Sequence, residues 1–318
     1  MRSAIFKILL WLLMVLLSGC IFLCIIFYQS DQSPEAVYAK YSLPQSHQLK
    51  IGGVLVHYCE EGNEADSTPL LLIHGTSSSL RTWDGVVAQL KKDYRIIRFD
   101  LPGFGLTGPN AQKDYSNAYY NAVIDTLLAK LSLSQVIVVG NSLGGSIAAD
   151  YAIYRPEKVK GLVLVDAAGV PSMKKTKGAI GFKLAQIPGI NQLLTRITPK
   201  FLVKKSLEDA YGNPEKVTDS LTTQYFDMLT REGNRRALVD RMQMGWQHNN
   251  SDYLQAIKAP TLIVWGRKDN LIPVENAATF DQKIPNSELF IWDHLGHVPM
   301  EEDPIAFSEL LRNWRKSQ

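Results

Sequence analysis

The chain has 318 residues but only three cysteines, Cys20, Cys24 and Cys59. Two of these lie in one apolar run and the third stands alone, which argues against a disulfide framework. No Cys/His cluster has the spacing of a zinc site, so no metal is expected. Charge of one sign is also scarce: 34 basic against 31 acidic residues leave a net +3. No module interleaves aromatic and basic residues, so nucleic acid is not an expected partner. Gly103-x-Gly105 lacks the rest of a dinucleotide fingerprint and reads as a turn, so no cofactor is implied. There is no internal repeat and no low-complexity tract of consequence. Length and composition suit one large α/β domain with an inserted segment.

One long hydrophobic run is present. Ile8 to Phe27 carries no charge, and its 20 residues as a helix would span about 30 Å, a bilayer core. Arg2 and Lys7 precede it, and Asp31 and Glu35 follow. The positive-inside rule then places the N-terminus in the cytoplasm and the remainder outside, which is periplasmic in a bacterium. Residues 1–28 read as an uncleaved signal anchor. Leu17-Ser18-Gly19-Cys20 also looks like a lipoprotein signal, with Cys20 as the lipidated residue. It departs from that pattern because apolar Ile21 to Phe27 follows the cysteine. Residues 29–48, polar and containing Pro34 and Pro44, read as a tether.

Beyond Leu70, strand-like and helix-like runs alternate, which predicts a mainly parallel sheet covered by helices. The most informative junction is Gly140-Asn141-Ser142-Leu143-Gly144-Gly145. It follows the apolar run Gln135–Val139 and precedes a helical run from Ser146. A serine between glycines at a strand-to-helix turn has the form of a nucleophile elbow. Such a serine needs a base, and the base needs an orienting acid, in the chain order Ser, acid, His. Asp269 lies just past the strand-like Thr261–Gly266, and Asp166, at the end of Gly161–Val165, is the alternative acid. His297 lies in the loop after the strand-like Ser287–Trp292 and follows a glycine, and His294 in the same loop is the alternative base. The oxyanion hole is expected from the backbone N–H of Thr76, after the run Leu70–Ile73, and of Leu143. His74 is expected to brace that loop.

These residues resemble the α/β-hydrolase superfamily. The resemblance runs from near Leu49 to near Trp314. It rests on His74-Gly75, Asp100-Leu101-Pro102-Gly103-Phe104-Gly105, the Ser142 elbow, Gly266-Arg267-Lys268-Asp269 and Gly296-His297-Val298-Pro299. It implies an α/β-hydrolase fold with core segments 49–169 and 248–318 and a helical cap between them, 170–247. The anchor, elbow and cap together are similar to membrane-anchored monoacylglycerol lipases and to bacterial esterases and lipases. The implied activity is hydrolysis of carboxylic esters, lipid-like ones in particular, through Ser142, His297 and Asp269, with no cofactor. The elbow also resembles that of meta-cleavage carbon–carbon hydrolases, although Val298 and Thr76-Ser77-Ser78 depart from their pattern. A non-catalytic binding module on the same fold is the third reading.

The first part of the cap region is unusual. From Pro171 to Lys205 there are eight basic residues and no acidic one. Phe182, Leu184, Ile187, Ile190, Leu193, Leu194 and Ile197 are interleaved with them. This mixture suits either a surface lying on anionic lipid or a solvated lid over an apolar pocket.

Overall fold

The computed structural model describes residues 2–171, 174, 184, 186, 187, 189–244 and 250–318. Lys175, Lys177, Phe182, Lys183 and Gln247 lie outside the described residues, as does the side chain of Cys20. Eight strands form one sheet: β1 (Ser46–Ile51), β2 (Val54–Gly62), β3 (Leu70–Ile73), β4 (Arg95–Phe99), β5 (Val136–Asn141), β6 (Val159–Val165), β7 (Thr261–Gly266) and β8 (Ser287–Trp292). The spatial order is β1-β2-β4-β3-β5-β6-β7-β8. The pairings β1–β2 and β2–β4 are antiparallel, and every pairing from β4 to β8 is parallel. The central strands are buried on both faces, which is why β3 and β5 are continuous apolar runs without alternation.

Helices cover both faces. On one face α4 (Asn117–Lys130), α5 (Leu143–Tyr154) and the helix Glu275–Lys283 bury Tyr120, Ile124, Ile147 and Phe280. On the other, α3 (Asp84–Leu90) and the helix Pro304–Ser317 bury Val86, Leu90, Phe307 and Trp314. The parallel order leaves the strand C-termini along one edge, where loops from β3, β5, β7 and β8 converge. Between β6 and β7 the chain leaves the sheet for the helices Ile190–Leu194, Lys200–Ala210, Asp219–Thr230 and Asn234–Gln243.

Helix α1 (Arg2–Ile26) contains an apolar stretch, Ile5–Ile26, long enough to cross a membrane. The segment after it is not a loose linker. Gln29 N donates to Arg196 O at 2.8 Å, Gln32 N to Thr230 O at 2.9 Å, and Glu232 N to Gln32 O at 2.9 Å. Arg235, 3% exposed, donates from Nη2 to Gln29 O at 2.7 Å and to Asp31 Oδ1 at 2.6 Å. Ser33 then caps α2 (Pro34–Tyr41), whose Lys40 Nζ and Tyr41 OH both donate to Asp227 Oδ2 at 2.6 Å. Phe27 packs edge-on against Phe201, with ring centroids 5.7 Å apart. The end of the apolar helix is thus joined to the inserted helices by backbone pairing and a largely buried ion pair.

The basic stretch loses much of its charge to partners outside it. Lys174 pairs with Glu275, Arg196 with Asp31 at 3.7 Å, Lys204 with Asp219 at 3.0 Å and Lys205 with Asp209 at 2.7 Å. A count along the sequence overstates the free positive charge, because these acids come from elsewhere in the chain. The apolar side chains of the same region do remain at the surface: Ile187, Ile190, Leu193 and Phe201 are exposed.

Asp31→Asn should destabilise the protein by about 2 kcal/mol, since it leaves the Arg235 guanidinium without its carboxylate. Urea unfolding of the full chain in detergent measures this. An unchanged midpoint would mean that the segment only rests on the inserted helices.

Candidate active site

Three tight turns assemble the site, and the first is at Ser142. Its backbone sits at φ 54° and ψ −116°, between β5 and α5. A non-glycine residue there stores roughly 1–3 kcal/mol of strain. The surroundings hold it in place. Ser142 N donates to Val165 O at 3.0 Å, and Ser142 O accepts from Ala168 N at 2.9 Å. A Cβ on Gly144 would lie 2.3 Å from Ile73 O, and one on Gly140 would lie 2.2 Å from Gly144 O. Only glycine lets α5 start this close to β3 and β5. Asn141 adds a tie not anticipated from sequence: its Nδ2 donates to Val165 O at 3.1 Å and to His297 O at 2.9 Å.

The second turn follows β7. Asp269 Oδ1 accepts from Leu271 N at 2.7 Å and Ile272 N at 2.9 Å, and its Oδ2 meets His297 Nδ1 at 2.7 Å. The Asp269 side chain is wholly buried. The third turn, after β8, carries His297. His297 N donates to Ala210 O at 2.7 Å. Glu302, also unforeseen, clamps the loop: Oε1 accepts from Gly296 N at 2.7 Å and Oε2 from Gly212 N at 2.9 Å. His294 makes no comparable contact with Asp269 among the described residues. Ser142 and His297 border one cavity. Among the described residues, the Asp269–His297 bond is formed, while Ser142 Oγ and His297 Nε2 are not hydrogen-bonded to each other.

The loop after β3 closes over the serine, with a Cβ on Gly75 lying 3.1 Å from Ser142 Cβ. Thr76 borders the cavity, and Leu143 is the first residue of α5. Among the described residues neither Thr76 N nor Leu143 N has an acceptor. For Leu143 this is the ordinary state of a helix N-terminus, whose first N–H groups have no intrahelical partner. His74 braces the loop: Leu101 N donates to Nε2 at 3.0 Å, so the ring proton is on Nδ1, donating to Gly75 O at 2.7 Å. Burial holds its pKa below the usual histidine value, which keeps the ring neutral.

Asp166, the alternative acid, lies beside this group. The ligand atoms of Asp166, Asp269 and His297 fall within 4.8 Å of one another. Most of them already have N–H partners, so the trio is a poor cation site despite its spacing. Asp166 Oδ1 accepts from Gly266 N at 2.9 Å, but its Oδ2 is buried without a donor. Burial, and then the charge of Asp269, push the Asp166 pKa well above the carboxylate range. A protonated Asp166 turns that orphan oxygen into a donor facing Asp269. The environment therefore separates the two acids: Asp269 receives three hydrogen bonds that suit a carboxylate, and Asp166 favours the neutral acid.

A second Ser–His–Asp chain exists away from the cavity. Ser46 Oγ lies 2.7 Å from His57 Nε2, and His57 Nδ1 lies 2.8 Å from Asp100 Oδ2. Asp100 also accepts from Leu80 N at 2.7 Å and Leu106 N at 2.8 Å. Burial opposes its charge, but the bond to His57 and these amides hold its pKa below the usual value. Asp100 thus organises the loops at the end of β4, which accounts for the Asp-Leu-Pro-Gly-Phe-Gly motif.

Comparison with known proteins places this geometry. Residues 68–304 match the family model described as alpha/beta hydrolase fold. Lipase 1 of Psychrobacter immobilis is 31% identical over 260 residues, covering 81% of this chain and 78% of that protein. The 2-hydroxy-6-oxo-6-(2'-aminophenyl)hexa-2,4-dienoic acid hydrolase of Metapseudomonas resinovorans is 30% identical over 267 residues, covering 82% and 87%. Among solved structures, a membrane phospholipase A superposes with a TM-score of 0.74 at 24% identity, over 100% of this chain and 99% of that one.

The Asp166 environment sets a sign for pH dependence. The folded state keeps this proton to higher pH than the unfolded chain. Its contribution is complete below the ordinary carboxylate pKa, about 4, and is lost as pH rises towards the folded value. Asp166→Asn should flatten that loss, measured as unfolding midpoints between pH 4 and 8. Wild type and variant falling in parallel would show that Asp166 does not hold the proton.

Proposed function

The chain belongs to the α/β-hydrolase fold family, and on that premise we propose that it is a membrane-tethered serine hydrolase of carboxylic esters. The observation that carries this reading is the buried Asp269–His297 bond beside Ser142 on one cavity. In the proposed reaction His297 Nε2 takes the proton of Ser142 Oγ as the oxygen attacks the ester carbon. Asp269 holds the ring with its proton on Nδ1 and stabilises the imidazolium. The unpaired N–H groups of Thr76 and Leu143 receive the oxyanion, where each such donor is worth about 3–4 kcal/mol. His297 then protonates the leaving alcohol. Water, deprotonated by the same ring, releases the acid and restores Ser142.

The cavity supports a lipid-like acyl group. Leu184, Leu194, Leu202, Val203, Leu207 and Leu238 border it, all from the inserted segment that serves as the cap in this reading. Membrane attachment is supported by α1 and by the exposed Leu193 and Phe201 near its end. The relative that is a membrane phospholipase A aligns along the whole of this chain, which agrees with that reading. Arg2 and Lys7 favour a cytoplasmic N-terminus with the hydrolase domain outside. The likeness to the dienoic acid hydrolase favours a second reading, carbon–carbon hydrolysis by the same serine.

The test is turnover of p-nitrophenyl esters of increasing acyl length against a vinylogous 1,5-diketone. Ester turnover lost by about 10³-fold or more in Ser142→Ala, and comparably in His297→Ala, is the expected result. Diketone cleavage without ester turnover would replace this reading with the second one. Asp269→Asn should lose far more activity than Asp166→Asn. Equal losses would remove the distinction between the two acids.

A further inference from the structure

The loop that carries Thr76 contains a strained residue. Gly75 O accepts from Ser78 N at 3.3 Å, which closes the four-residue turn Gly75-Thr76-Ser77-Ser78. The third residue of that turn, Ser77, sits at φ 59°, a backbone conformation that favours glycine. Its hydroxyl is buried without a hydrogen-bond partner, so its side chain does nothing to hold that conformation. The orientation of the turn matters, because Gly75 C=O and Thr76 N–H belong to one planar peptide and point in opposite directions. His74 Nδ1 holds the carbonyl at 2.7 Å. Whatever fixes the turn therefore also fixes the N–H that the proposed reaction uses for the oxyanion.

The far end of the turn is held from another part of the chain. Ser78 Oγ lies 3.2 Å from the hydroxyl of Tyr225, on the helix Asp219–Thr230. Tyr225 donates its one proton to Glu301 Oε2 at 3.0 Å, which leaves its oxygen to accept from Ser78. Glu301 lies on the short helix Pro299–Glu302, which starts two residues after His297. One side chain from the inserted segment thus joins the oxyanion loop to the histidine loop. Ser78, Tyr225 and Glu301 all border the cavity that Ser142 borders. The helix that carries Tyr225 is itself fixed near its end. Gln32 Nε2 donates to Asp227 Oδ1 and to Thr230 Oγ1, each at 2.9 Å, and Lys40 and Tyr41 both bond Asp227.

We infer that Tyr225 is a positioning residue for the oxyanion hole: it keeps the strained turn at Ser77 closed and so keeps the Thr76 N–H aimed at the reacting carbonyl. The inference rests on the ester-hydrolase reading above. Without the Tyr225 hydroxyl, Ser78 loses its bond and Ser77 is free to relax out of the left-handed region. The Thr76 peptide turns with it. Acylation and deacylation both pass through an oxyanion, so both steps slow together. Binding of the ester changes little, because the oxyanion exists only once the carbonyl is attacked.

The experiment measures kcat and KM for p-nitrophenyl esters with the full chain in detergent micelles. Tyr225→Phe should lower kcat by about 10-fold while KM changes by less than about 2-fold. Ser78→Ala, which leaves the tyrosine and its packing in place, should give a loss of the same kind. Adding Ser77→Gly to Tyr225→Phe should recover most of the loss, since glycine adopts φ 59° without strain. Urea midpoints verify that each variant is folded. An unchanged kcat in Tyr225→Phe and Ser78→Ala would overturn the inference alone. So would a loss carried by KM, or a kcat loss that Ser77→Gly fails to recover, since either would make Tyr225 part of the general packing of the cavity. No turnover of any ester by the wild type would overturn the ester reading and this inference with it.

Discussion

The placement of Ser142 depends on how closely α5 can approach the sheet. The first turn of that helix lies against the carbonyl of Ile73, at a distance where any Cβ on Gly144 would collide. With glycine there, and at Gly140, the chain can reverse within one residue and leave the serine at a positive φ. The strain at that residue is balanced by the buried strands on either side, because β5 and β6 cannot shift without breaking the parallel ladder. The rest of the site is positioned against this turn. Asn141 ties it to the His297 loop, Gly75 packs on Ser142, and the His297 loop is in turn held by Glu302 and by the end of the helix Lys200–Ala210.

Electrostatic environment, more than residue type, separates the roles of similar groups. Two sets of Ser, His and Asp are present, with nearly equal His–Asp bonds of 2.7 and 2.8 Å, and of the two serines only Ser46 is bonded to its histidine. Ser46, His57 and Asp100 do not border the cavity that Ser142 borders, and the carboxylate gathers loop amides. The acids Asp166 and Asp269 lie side by side, and Asp269 accepts from two backbone N–H groups and His297 whereas Asp166 accepts from one backbone N–H. Burial, and then the charge of Asp269, raise the pKa of Asp166. A shared burial with one charge is the arrangement that like-charged neighbours favour.

The inserted helices and the segment after α1 behave as one unit. Gln29 and Gln32, in the stretch read from sequence as a tether, pair with those helices, and Asp31 meets an arginine that itself borders the cavity. Nothing in the composition of residues 29–48 signals this, because the contacts join parts of the chain roughly two hundred residues apart. The same holds for the basic stretch after Pro171. Its local charge is evident from sequence, yet Asp31, Asp209, Asp219 and Glu275 pair with much of it only in the folded chain.

The sequence by itself determined the class of fold and the identity of the candidate chemical groups. Buried parallel strands must be apolar throughout, and a serine on a strand-to-helix turn must be flanked by glycine, so both leave local marks. Ser142, Asp269, His297, Thr76 and Leu143 could be named because each stands at a strand end with a recognisable neighbour. Tertiary structure alone gave the two acids different surroundings, and it brought Glu301, Tyr225 and Ser78 together. It also joined the segment after α1 to the cavity wall. Those outcomes depend on desolvation and on contacts between distant segments, and neither leaves a periodic or short-range trace in the order of residues.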